Sequence, residues 1–148
     1  LTDIKKIDEN GPETPSPKFA EVKDYLRTVS DVMGEYIYSM RIFPGGQMQW
    51  EWGLGAIQEI TGYNEVEFRK TGGYFPLLHP QDRYDEKSHL EALLKDNPQS
   101  MEARLVTRTG ETRWVKVLEY PQRDTEQRQV ARILVILQDI HSQKSVRQ

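Results

Sequence analysis

The chain of 148 residues contains no cysteine, and that absence removes disulfides, thiolate metal sites, iron-sulfur clusters and thiol nucleophiles from its chemistry. Long apolar runs are missing too. The longest, residues 133–137, falls far short of the roughly 20 residues that cross a bilayer and reads as a buried strand. With 20 Lys and Arg against 23 Asp and Glu, the net charge of -3 sets up no global field for nucleic acid or an anionic membrane, so neither is expected as a partner. Histidine is scarce, at three residues. No nucleophile elbow surrounds a serine, no His or carboxylate set has metal-ligand spacing, and no glycine-rich phosphate loop precedes a helix. Neither a catalytic nor a metal site is therefore expected.

At this length one domain is expected, with room for a real core and one extra helix. No secretory pattern opens the chain, which points to the cytoplasm. A first residue other than Met and a polar end read as a segment of a larger protein. Residues 1–17 form a leader and linker, since Pro12, Pro15 and Pro17 deny helix hydrogen bonds. Over residues 18–33 an amphipathic helix is expected: Phe19, Val22, Leu26, Val29 and Met33 recur at alternating spacings of three and four. That stripe fits a helix lying on its own sheet, and equally the seam of a homodimer.

Residues 36–43 and 47–52 read as a hairpin turning at Pro44-Gly45-Gly46. Met48, Trp50 and Trp52 are expected on one face, with Gln47, Gln49 and Glu51 on the other. Gly62 suits a left-handed helix cap, and Asn64 with Glu67 forms a capping box for the next helical turn. Pro80 is placed at the first position of a further helix, with Asp82 at its positive end, and Pro98 stops it. Residues 99–108 and 112–120 flank the turn Thr109-Gly110. Residues 130–140 form a last strand with Ile133, Val135 and Leu137 on one face and Leu134 and Ile136 on the other. Apolar on both sides, it belongs in the middle of a sheet. The sum is an α+β fold, a five-stranded antiparallel sheet with short helices packed on one face.

Four phrases stand in fixed order along this frame: Ile60-Thr61-Gly62-Tyr63, Leu78-His79-Pro80-Gln81-Asp82-Arg83, Thr109-Gly110-Glu111-Thr112-Arg113-Trp114-Val115 and Leu137-Gln138-Asp139-Ile140. Together they resemble a PAS domain of the sensory-box type, with a PAC-like second half, over residues 34–143; residues 144–148 would begin an exit linker. Leu1-Thr2-Asp3-Ile4 echoes the closing phrase and leaves open a preceding module.

The resemblance implies a cytoplasmic regulatory domain, not an enzyme, that detects a small ligand or partner. It would pass the signal to an effector in the same chain, such as a histidine kinase or diguanylate cyclase. The alternative is a ligand-free dimerisation and spacing module. Without cysteine the flavin-cysteinyl chemistry of light-sensing relatives is excluded; the cofactor is otherwise unknown. Haem-binding relatives ligate iron from the helix that His89 occupies, yet His89 sits at the edge of the Leu90, Leu93, Leu94 arc, where a half-exposed histidine shielding the core is expected. The pocket is expected among Ile60, Phe68, Leu90, Leu94 and Trp114. Asp139 is expected to couple the last strand to the exit segment, with Arg113 or Lys116 as its cation. Two departures from the family pattern are His141, where Thr is usual, and Leu54-Gly55, which leaves the helix after it without a side-chain cap.

Overall fold

The structure, a computed structural model, describes residues 24, 29, 33–124, 126 and 129–147. Strands β1 (Glu35–Ile42) and β2 (Met48–Gly55) lead into helices α1 (Ile57–Thr61) and α2 (Glu65–Thr71). Two 3₁₀ turns, Phe75–Leu77 and Pro80–Asp82, precede α3 (Glu86–Leu94); then follow β3 (Gln99–Val106), β4 (Thr112–Arg123), β5 (Val130–Asp139) and α4 (His141–Arg147). The sheet is antiparallel in the order β2-β1-β5-β4-β3, so the last strand is indeed the central one. Ile133, Val135 and Leu137 are buried under the helices, while Leu134 and Ile136 on the far face are half-buried.

Local chemistry explains the punctuation. Asn64 Oδ1 accepts from the Glu67 amide and Glu67 Oε1 from the Asn64 amide, the expected capping box, and Gly62 closes α1 at φ 81°. Ala56 provides no side-chain cap for α1. Its amide instead donates to the Glu35 carbonyl at 2.8 Å. That close approach needs Gly55, since a Cβ there would lie 2.3 Å from the same oxygen.

Two elements differ from expectation. Pro80 does begin a helical turn, but it is a 3₁₀ turn separate from α3. Asp82 caps no helix; its carboxylate accepts from the Arg104 amide at 2.7 Å and from the Arg104 guanidinium at 3.0 and 2.8 Å. A charged partner on β3 outbids a partial charge at a helix end. In the hairpin, Met40 pairs with Trp50 and Ser39 with Trp52, so Glu51 is the extra residue of a bulge. Trp50 therefore faces the helices and Trp52 the opposite side, not one face together.

The first two phrases prove to be docking points for β3 and the turn after it. Thr61 accepts from the Arg108 amide, Glu67 takes the Arg108 guanidinium on both oxygens, and His79 donates its amide to the Arg104 carbonyl. Of the helical stripe expected to seam a dimer, Phe19, Val22 and Leu26 lie outside the described residues. Val29 is half-buried, and Met33 is 62% exposed.

Candidate functional site

Between sheet and helices the interior has two parts. Next to α2, the rings of Tyr36, Tyr38, Trp50 and Phe68 pack together, with Tyr38 and Trp50 stacked at 4.8 Å and Phe68 edge-on to both tyrosines. Gly53 makes room for them: a Cβ there would fall 2.0 Å from the Tyr36 hydroxyl. Next to α3 lies a cleft of about 150 Å³ lined by Tyr38, Tyr74, Tyr84, His89, Leu90 and Glu119, among others.

One polar chain runs through this second part. The Tyr74 amide donates to the Tyr38 hydroxyl at 3.1 Å, and the Tyr74 hydroxyl donates to Glu119 Oε1 at 2.9 Å. Because Tyr74 has only one hydroxyl hydrogen, Tyr84, at 2.5 Å, donates to it in turn. His89 Nε2 meets the same Oε1 at 2.5 Å, and its ring lies 4.2 Å from that of Tyr84. Burial pushes all three tyrosine hydroxyls far above their usual range, and the Glu119 carboxylate adds to the shift. They remain protonated donors. Glu119, 6% exposed, is thus a buried carboxylate met by one neutral donor, Tyr74, which Tyr84 backs in turn, and by one histidine.

A second cluster stands where β5 ends. Asp139 Oδ2 takes the Arg113 guanidinium at 2.9 Å and its Oδ1 accepts from the His141 amide at 3.0 Å. Of the two cations expected, Arg113 is the partner. Trp114 ties the same corner: its carbonyl accepts from the Ile140 amide and its amide donates to His141 Nδ1 at 3.2 Å. His141 thus fills the place of the usual Thr with a ring acceptor. Lys144 of α4 lies 4.8 Å above the Trp114 ring and pairs with Glu102 at 2.6 Å.

Of the expected pocket residues, Leu90 lines the cleft, and Ile60 and Phe68 are buried in the core beside it. Leu94 is not there: it is 39% exposed, one residue beyond the inward-facing Leu93. Trp114 lies on the opposite side of the sheet. Val115 and Val117 take the inner positions of β4, and alternation sends Trp114 outward to the exit helix. His89 is less exposed than expected, 16% by side chain, because Glu119 draws it inward. That engagement and the small cleft do not fit haem, which needs an unengaged ring nitrogen and far more room than this. Tyr74, Tyr84 and Glu119 were not foreseen. The available signal was the alternation Val115, Val117, Glu119, which carries a carboxylate into line with two buried valines.

Comparison with known proteins gives a consistent fold. The family model described as the PAS fold matches residues 49–136. No curated protein matches the chain. Among solved structures, the N-terminal domain of a diguanylate cyclase with PAS/PAC sensor from Marinobacter aquaeolei superposes with a TM-score of 0.62 at 14% identity. That match covers 74% of this chain and 98% of that one. A domain of a sensory box sensor histidine kinase/response regulator from Geobacter sulfurreducens gives 0.58 at 18%, covering 84% and 100%. The blue-light activated histidine kinase of Erythrobacter litoralis gives 0.57 at 13%, covering 78% of this chain and 36% of that one.

Proposed function

This chain belongs to the PAS fold family, and from that premise we propose that it is a cytoplasmic regulatory sensor module, without catalysis of its own. It reads the occupancy of the cleft beside α3 and passes it through Asp139 to an effector such as a histidine kinase or diguanylate cyclase. The observation that carries this reading is one of continuity. Ile133 and Val135 of β5 wall the cleft, and the same central strand ends at Asp139, held by Arg113. Glu119 and Arg113 likewise share β4. A change at the cleft therefore acts on the two strands whose ends hold α4. The junction has two arrangements, Asp139 engaged or released, and a ligand preferring one of them shifts the balance.

Asp139→Asn tests the coupling, since it keeps shape and removes charge. It should leave the fold intact while uncoupling sensor from effector in the signalling protein that carries this chain. An effector regulated as in the unaltered protein would contradict the reading. The cleft volume favours a second reading, a ligand-free dimerisation and spacing module, because 150 Å³ lies below the roughly 300–1,000 Å³ of ordinary small-molecule sites. Under that reading a homodimer forms through residues 19–33 and no solute saturates the cleft.

A further inference from the structure

We propose that the cleft beside α3 takes a small organic cation, an ammonium or quaternary ammonium group with few further atoms, seated against Glu119 and the faces of the surrounding tyrosines. The inference rests on the sensor reading and narrows it to a ligand class.

Charge is the first argument. Glu119 and Glu86 both line the cleft, and among the described residues no Lys or Arg does. Among the described lining residues the only base is His89, and it already directs Nε2 at Glu119 Oε1. That oxygen also receives Tyr74, whereas Oε2 makes no hydrogen bond to the described residues. Among the described residues no buried side-chain oxygen lacks a partner, so Oε2 is reached by solvent and is open to a further group, and a carboxylate in so buried a residue favours a positive one. An anion would meet Glu119 unfavourably, and a neutral aliphatic solute would leave Oε2 as it is.

Surface chemistry is the second. Tyr38, Tyr74, Tyr84 and Phe75 present aromatic rings, and Met40 and Met48 supply soft polarisable lining. Ring faces attract alkylated ammonium groups, and the attraction grows when water is excluded. Arg83, which does not line the cleft, stands 5.8 Å above the Phe75 ring. Size is the third. A volume of 150 Å³ equals the share of about five waters in the liquid, so the cation carries only a few heavy atoms. Glu86 and Met48 are exposed at the mouth and leave it open to solvent.

The experiment is an NMR titration of the chain with tetramethylammonium, choline, the neutral isostere of choline in which a quaternary carbon replaces the nitrogen, and acetate. The cations should saturably shift the amides of Tyr74, His89 and Glu119. The isostere should bind about tenfold more weakly or worse, and acetate should shift none of them. Glu119→Gln should weaken cation binding by a similar factor while keeping a dispersed spectrum. Comparing choline with its isostere uses the unaltered chain and decides the matter even where the variant fails to fold. Equal affinity for the isostere, indifference to Glu119→Gln, or no saturation by either cation overturns the proposal. Saturation by the isostere alone would discard the ligand class and leave the sensor reading standing. Cation binding that leaves the Ile140 and Lys144 amides unmoved would keep the ligand class and discard the sensor reading.

Discussion

Tyr36, Tyr38, Trp50 and Phe68 at one end of the interior, and Tyr74, Tyr84, His89 and Glu119 at the other, use similar residue types to opposite effect. The first group fills its space: rings stack or meet edge-on, and a glycine on β2 clears the last clash. The second leaves an open cleft around a buried carboxylate. Filling is what stability asks for. A buried Glu with its attendant donors is weak as a stabiliser, and such groups concentrate where binding occurs. One end of the interior thus supports the fold by filling its space, and the other leaves a cleft around a buried carboxylate.

Truncation at the filled end should break the fold most severely. Phe68→Ala removes a fully buried ring and should cost about 3 to 5 kcal/mol, read by urea unfolding. At the cleft, Tyr74→Phe deletes the hydroxyl that serves both Glu119 and Tyr84. The same assay should show a loss of about 1 to 3 kcal/mol, with a clear change in any cleft binding. Phe68→Ala should alter stability more than Tyr74→Phe does; the reverse order would undo the division between the two ends.

Asp82 lies outside both ends, and Asp82→Asn acts on neither directly. It weakens the anchor on β3 of the segment leading to Tyr84 and should cost about 1 to 2 kcal/mol near neutral pH. The Arg104 guanidinium holds the Asp82 carboxyl below the usual range. Its contribution is therefore present above the unfolded value near about 3.9 and is lost as pH falls through the lowered folded value. The stability gap between the unaltered chain and the variant should narrow below about pH 4. Leu94→Ala should matter least, within about 0.5 kcal/mol, since the side chain is exposed; a cost of several kcal/mol would return Leu94 to the core.

The layers of the fold were legible because periodicity and caps report them locally. An apolar run on both faces of residues 133–137 placed β5 centrally, and Asn64, Glu67 and Gly62 marked helix ends by side-chain and backbone chemistry alone. Side-chain facing was less legible. The Glu51 bulge breaks the two-residue period, so Trp52 cannot be followed from Trp50. On β4 both alternating sets contain apolar residues, Trp114 and Leu118 against Val115 and Val117, and pattern does not say which set faces the helices. The cleft network was hidden for a related reason. Tyr74, Tyr84, His89 and Glu119 come from separate elements, and only their packing brings the hydroxyls and imidazole to one carboxylate. At the exit, Asp139 was foreseen from the family resemblance, but the choice between Arg113 and Lys116 stayed open, because only the pairing of β4 with β5 sets which of them reaches it.

Under the proposed sensor reading, the cleft and the exit junction are energetically linked. Amide hydrogen exchange in the unaltered chain and in Glu119→Gln tests it most directly, read at Ile140, which donates to Trp114, and at Lys144, which donates to Ile140. Linked sites should change protection at both amides by about fivefold or more, the lower range of ordinary coupling between sites. A variant that stays folded, alters exchange around Tyr74 and His89, and leaves Ile140 and Lys144 as they were would contradict the account.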